Sequence, residues 1–171
     1  MANKEREKEL KHISKVLKGN DNKAQEQILK NIREKGDAGL IPDLIHLLHR
    51  SGHSNIKNMI ADVLINLKDQ TCVPYLVESL KTDKYAEQEQ ILISACWQNG
   101  LDYSDYLTIF IDKMISGTYY VALESLTVIE NASLDKLDRQ KSISKVKNSL
   151  SEVDKQQQSL LIELIHILQK T

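Results

Sequence analysis

The chain has 171 residues, with 23 Lys plus Arg against 24 Asp plus Glu, a net charge of −1, two cysteines, two prolines and 41% apolar residues. A chain of this length buries a continuous core. Its near-neutral balance argues against a dedicated nucleic-acid or membrane-surface protein, because both carry a clear basic excess.

The opening run Met1-Ala2-Asn3-Lys4-Glu5-Arg6-Glu7-Lys8-Glu9 is charged and has no apolar h-region, which predicts no secretory signal and a cytoplasmic chain. Leu10, Ile13 and Leu17 then recur at helical spacing, with Lys4, Glu5, Glu7, Lys8 and Lys11 on the polar side expected of a terminal cap. The same spacing holds for Ile28, Leu29 and Ile32, for Ile41, Leu44, Ile45 and Leu48, and for Ile56, Ile60, Val63, Leu64 and Leu67. Polar breaks separate these runs: Gly19-Asn20-Asp21-Asn22, Gly36-Asp37, Ser51-Gly52-His53-Ser54, Lys81-Thr82-Asp83, Gly100-Leu101-Asp102 and Ser116-Gly117-Thr118. The pattern predicts about ten short helices and no strand. Near the end, Leu160-Leu161-Ile162-Glu163-Leu164-Ile165-His166-Ile167-Leu168 is interrupted by Glu163 and His166 and falls short of the ~20 apolar residues of a membrane span, so it reads as an amphipathic helix. Cys72 and Cys96 lie in apolar runs without CxxC spacing, which predicts reduced core thiols.

An internal repeat organises these helices. Leu40-Ile41-Pro42-Asp43-Leu44-Ile45-His46-Leu47-Leu48 lies over Cys72-Val73-Pro74-Tyr75-Leu76-Val77-Glu78-Ser79-Leu80, and the same shift carries Asp37 onto Asp69, Ile28 onto Ile60 and Ile32 onto Leu64. A slightly longer shift carries Val73, Leu76, Val77 and Leu80 onto Leu107, Phe110, Ile111 and Met114. Pro suits the first helical turn, where its missing N–H costs nothing, and Asp37 and Asp69 stand where a carboxylate takes up free N–H groups. In the third copy Asp105 or Tyr106 is expected at the position of the prolines.

The I/V-P-x-L-I/V-x-x-L element, followed by an I-A/L-x-x-L element and closed by Gly or Asp, resembles bacterial HEAT-like repeat proteins of the armadillo type. The resemblance implies an all-α, right-handed α–α superhelix of about five hairpins, forming one domain over 1–171. Residues 1–35 would be the N-terminal cap, 36–131 the clearest repeats and 132–171 the C-terminal cap. It specifies architecture and leaves function open.

His46, His49 and His53 are the clustered histidines, with Asp43 adjoining. They fit either a weak metal site or a solvated convex face, and the second reading is preferred because the apolar face of their helix lies opposite. Asp102, Asp105 and Asp112 are read as capping residues rather than an acid–base pair. No phosphate loop, nucleophile elbow or HExxH is present, so no cofactor and no catalytic residue is expected.

All eight aromatics fall between Tyr75 and Tyr120, and residues 75–138 carry eleven acidic side chains against four lysines. Residues 1–35 carry ten basic and six acidic groups, and 139–171 carry six and three. Trp97 and Phe110 fill the core between copies or, for Trp97, line a groove. The resemblance places second helices on a concave surface, where Asp62, Asn66, Trp97, Tyr119, Tyr120 and Glu124 are the candidate partner-binding residues. An aromatic, acidic groove selects a basic or amphipathic protein segment, which makes the expected function a non-catalytic interaction scaffold. The alternative is a nucleic-acid-binding protein resembling the HEAT-like alkylpurine DNA glycosylases. That class needs a positive surface where this chain is negative.

Overall fold

The computed structural model describes residues 2–32 and 37–170. The break at Gly36 and the boundary expected between residues 35 and 36 lie outside the described residues. Among the described residues the protein is all-α, with ten α-helices, five short 3₁₀ segments and no strand.

The chain divides into two compact units, Met1–Leu101 and Asp102–Thr171. The first holds α1 (Ala2–Lys18), α2 (Asn22–Ile32), α3 (Ile41–Arg50), α4 (Ser54–Ile65), α5 (Val73–Leu80) and α6 (Glu89–Gln98). Here α1 packs on α2 and α3, α3 on α4 and α5, and α5 on α6, while α2 packs on α4 and α4 on α6. First helices therefore touch first helices and second helices touch second helices, as the internal repeat requires. Leu44, Ile45, Leu64 and Leu76 are fully buried, so the periodicity read from the sequence gave the helix phase correctly.

The second unit holds α7 (Leu107–Ser116), α8 (Tyr119–Glu130), α9 (Arg139–Ser149) and α10 (Lys155–Gln169). In it α7 packs on α8 and α9, and α10 packs on α7, α8 and α9. Phe110 is core, meeting the buried Tyr103 edge-on at 5.7 Å.

The same turn begins α3, α5 and α7. Asp37, Asp69 and Asp102 each accept the backbone N–H two residues on, from Gly39, Thr71 and Ser104, all at 2.9 Å. A single 3₁₀ turn follows in each case, over Ala38–Leu40, Gln70–Cys72 and Ser104–Tyr106. Pro42 and Pro74 are the second residues of their helices, where no intrahelical N–H is needed. The position of the prolines in the third copy is occupied by Thr108, not by Asp105 or Tyr106. One extra residue lies between Asp102 and Leu107 compared with Asp69 to Val73; it is Tyr103, which stands between the aspartate and a 3₁₀ turn that keeps its three residues.

Helix ends in the first unit are tied by side chains from neighbouring helices. Gln25 of α2 donates to the Gly19 carbonyl at 2.7 Å, and Arg50 of α3 donates to the Leu17 carbonyl at 2.8 Å, so carbonyls at the end of α1 that lack helical partners are satisfied. Asp43, in the first turn of α3, accepts from Ser14 at 2.5 Å and pairs with Lys18 at 3.2 Å.

Candidate functional site

The six candidate residues are divided between the units. Asp62, Asn66 and Trp97 belong to the first, and Tyr119, Tyr120 and Glu124 to the second.

In the first unit, Asp62 and Asn66 lie at the end of α4, off its buried stripe of Ile56, Ile60, Val63 and Leu64. The Asn66 amide donates to the Asp62 carbonyl at 2.7 Å, which commits it to closing the last turn of α4. Asp62 lines a cavity of about 320 Å³ with Leu29, Lys30, Asn55 and Met59, formed where α2 and α4 run side by side. Trp97 on α6 is 38% exposed, so it belongs to the surface of its unit and not to the core.

In the second unit, α8 starts at Thr118, whose hydroxyl accepts the Val121 N–H at 3.3 Å. That start sets the phase of the helix. Val121, Ala122, Ser125, Leu126, Val128 and Ile129 are buried, and the opposite side presents Tyr120, Leu123, Glu124 and Thr127. Tyr120 is 61% exposed and Leu123 is 38% exposed. Tyr119 packs edge-on against Tyr120, with ring centroids 5.6 Å apart. Leu123 was not among the residues singled out from the sequence. Its only signal is its place one turn after Tyr120, hidden because an apolar residue in an apolar run reads as core.

The histidines do not form a metal site, and among the described residues no group of three potential ligands comes together. His46 faces Lys84, with 3.4 Å between Nδ1 and Nζ. His49 Nδ1 is 3.0 Å from Gln88 Oε1 and its ring packs edge-on against Tyr85, while His53 Nε2 lies 2.7 Å from the Asn22 amide. Asp43 is held by α1 instead. His53 is exposed, while His46 and His49 are half-buried, each beside a residue of the 3₁₀ segment Asp83–Gln88. Burial first, then the positive charges of Lys84, Arg50 and His49, holds His46 below the ordinary imidazole value.

Both thiols are buried and not disulfide-bonded. Burial, followed by the nearby Asp69 and Asp37 carboxylates, pushes Cys72 up to about 11, so it is a poor nucleophile at neutral pH. The three aspartates serve structure. Asp102 accepts from the Ser104 hydroxyl at 2.5 Å and from its N–H, which holds its carboxyl below the ordinary carboxylate value. Asp105 pairs with Lys136 at 2.7 Å, and Asp112 pairs with Lys145. These two ion pairs cross a cleft between α7 and α9, which the sequence did not reveal because its walls are some 30 residues apart in the chain.

No helix among the described residues is long and apolar enough to cross a membrane. The chain matches no family model, no curated protein and no solved structure.

Proposed function

We propose that the protein is a non-catalytic interaction scaffold, a HEAT-like right-handed superhelix of about five hairpins whose second helices present the partner-binding surface to a basic or amphipathic protein segment. The observation that carries this reading is the outward face of α8. An exposed tyrosine and an exposed leucine stand one turn apart there, beside Glu124, on a side of the helix that packing in its unit does not consume. Exposed large apolar groups beside polar ones are what partner surfaces use, and tyrosine supplies contact area at low entropic cost. The acidic excess of residues 75–138 would steer a basic segment toward this region and repel phosphate. In the first unit, Trp97 on α6 offers an exposed aromatic surface of its own.

The test is fluorescence anisotropy with a labelled basic amphipathic helical peptide, its charge-reversed counterpart and a labelled DNA duplex. The basic peptide is expected to bind, to weaken as salt rises through the range where the Debye length falls below ~10 Å, and to lose about tenfold in affinity with Tyr120→Ala, a loss that corresponds to ~1.4 kcal/mol. Retention of the duplex in preference to the peptide, or equal affinity of wild type and Tyr120→Ala with matched circular dichroism, overturns the proposal.

A further inference from the structure

The cleft between α7 and α9 encloses about 550 Å³ and is lined on one side by Asp105, Leu107, Thr108, Ile111 and Asp112. Lys136, Leu137, Asp138, Lys141, Ser142 and Lys145 line the other. Its volume lies in the range of small-molecule sites. Three aspartates and three lysines suggest electrical balance, but the groups are not equally engaged. Asp105 is neutralised by Lys136 and Asp112 by Lys145, and Asp138 accepts the Lys141 backbone N–H at 3.0 Å as the cap of α9. The Lys141 ammonium has no ion pair among the described residues. It stands on a helix whose residues, Arg139–Ser149, include four basic side chains and no acidic one. Ser142 is only 6% exposed, lines the same cleft, and its hydroxyl makes no hydrogen bond among the described residues. Among the described residues no buried side-chain nitrogen or oxygen lacks a partner, so this hydroxyl is one that reaches the solvent of the cleft. The floor beneath these two groups includes the buried Leu107 and Ile111.

We infer that this cleft binds a small amphiphilic carboxylate, with its anionic head between Lys141 and the Ser142 hydroxyl and its apolar body against the half-buried Leu137, above the closed floor of Leu107 and Ile111. Lys141 supplies a charge-assisted hydrogen bond, Ser142 a neutral donor, and Leu137 an apolar contact. The two ion pairs bracket the site. Asp105 stands in the 3₁₀ turn that leads into α7 and Asp112 near the helix's middle, so an ion pair closes the cleft at each of these levels, which suits a compact occupant and obstructs a peptide running through. This site is distinct from the α8 surface and does not depend on the scaffold reading.

The probe is octanoate, with octylammonium as the charge-reversed control, followed by amide chemical-shift changes in the intact chain. Octanoate is expected to give saturable shifts centred on Leu107, Thr108, Ile111 and Ser142, and octylammonium none there. Lys141→Gln is expected to weaken octanoate about tenfold and Ser142→Ala several-fold. Neither removes a partner the fold uses, so both variants should remain folded. Lys147→Gln makes the same charge change on α9 outside the cleft and should leave affinity within twofold. Absence of saturable shifts, equal shifts with octylammonium, or equal weakening by Lys141→Gln and Lys147→Gln each overturns the inference.

Discussion

The side-chain amide of Gln157, in the first turn of α10, donates to the main-chain carbonyl of Met114 at 2.6 Å, joining positions 43 residues apart. The same nitrogen lies 3.2 Å from the Ile115 carbonyl and 3.3 Å from that of Gly117. One buried side chain thus serves the end of α7, whose last carbonyls have no helical partner.

Gln157→Leu keeps the side chain's bulk and removes the donor, leaving a buried carbonyl unsatisfied. It is expected to lower the unfolding free energy by ~1–3 kcal/mol. Gln157→Glu should cost more at neutral pH, because a carboxylate facing carbonyl oxygens donates nothing, and should recover part of the loss in acid as the carboxyl protonates. Urea midpoints at two pH values check both outcomes. Equal midpoints for wild type and Gln157→Leu would show that the carbonyls are served by water.

Leu64 is fully buried on α4, at the position that the repeat relates to Ile32. Leu64→Ala is expected to destabilise the fold by ~2–5 kcal/mol through lost burial and a residual cavity. That is a large share of the ~5–15 kcal/mol that holds an ordinary domain together. Chemical denaturation measures it directly, and a change within experimental error would mean that α4 is rotated from the phase described.

His46 gives a pH dependence of known sign. Its folded-state value is held below the ordinary 6.5, so the neutral ring is favoured by the fold. The corresponding stability is complete above the unfolded value and is lost as pH falls through the depressed folded value. His46→Gln should therefore flatten the decline in melting temperature between about pH 7 and pH 5 relative to wild type. Parallel profiles for the two proteins would contradict this.

The helices were legible in the sequence because burial in an amphipathic helix imposes its own period, and Leu44, Ile45, Ile60 and Leu64 keep that period without interruption. Pro42 and Pro74 marked the starts of α3 and α5 because proline is tolerated at so few helical positions. The start of α7 was legible only to within a few residues. The extra residue after Asp102 shifts its register, and Thr108 carries no comparable steric signature. Contacts between distant segments left no local trace. The meeting of His46 with Lys84 spans 38 residues, and the Lys141–Ser142 cleft has its opposite wall on α7. Among the candidate residues, the outward placement of Tyr120 followed from helix phase alone. The engagement of the Asn66 amide within α4 did not, because it depends on a side-chain rotamer.

The turns closed by Asp37, Asp69 and Asp102 each span two residues, and this bears on the order of events as the chain folds. Closing so short a segment involves little loop entropy, and local turn and helix formation is complete within about a microsecond. These three corners can therefore form before any contact between helices exists. They persist as fluctuating structure in a chain that has not folded, so the search for the native packing begins with the directions of α3, α5 and α7 already restricted at their starts.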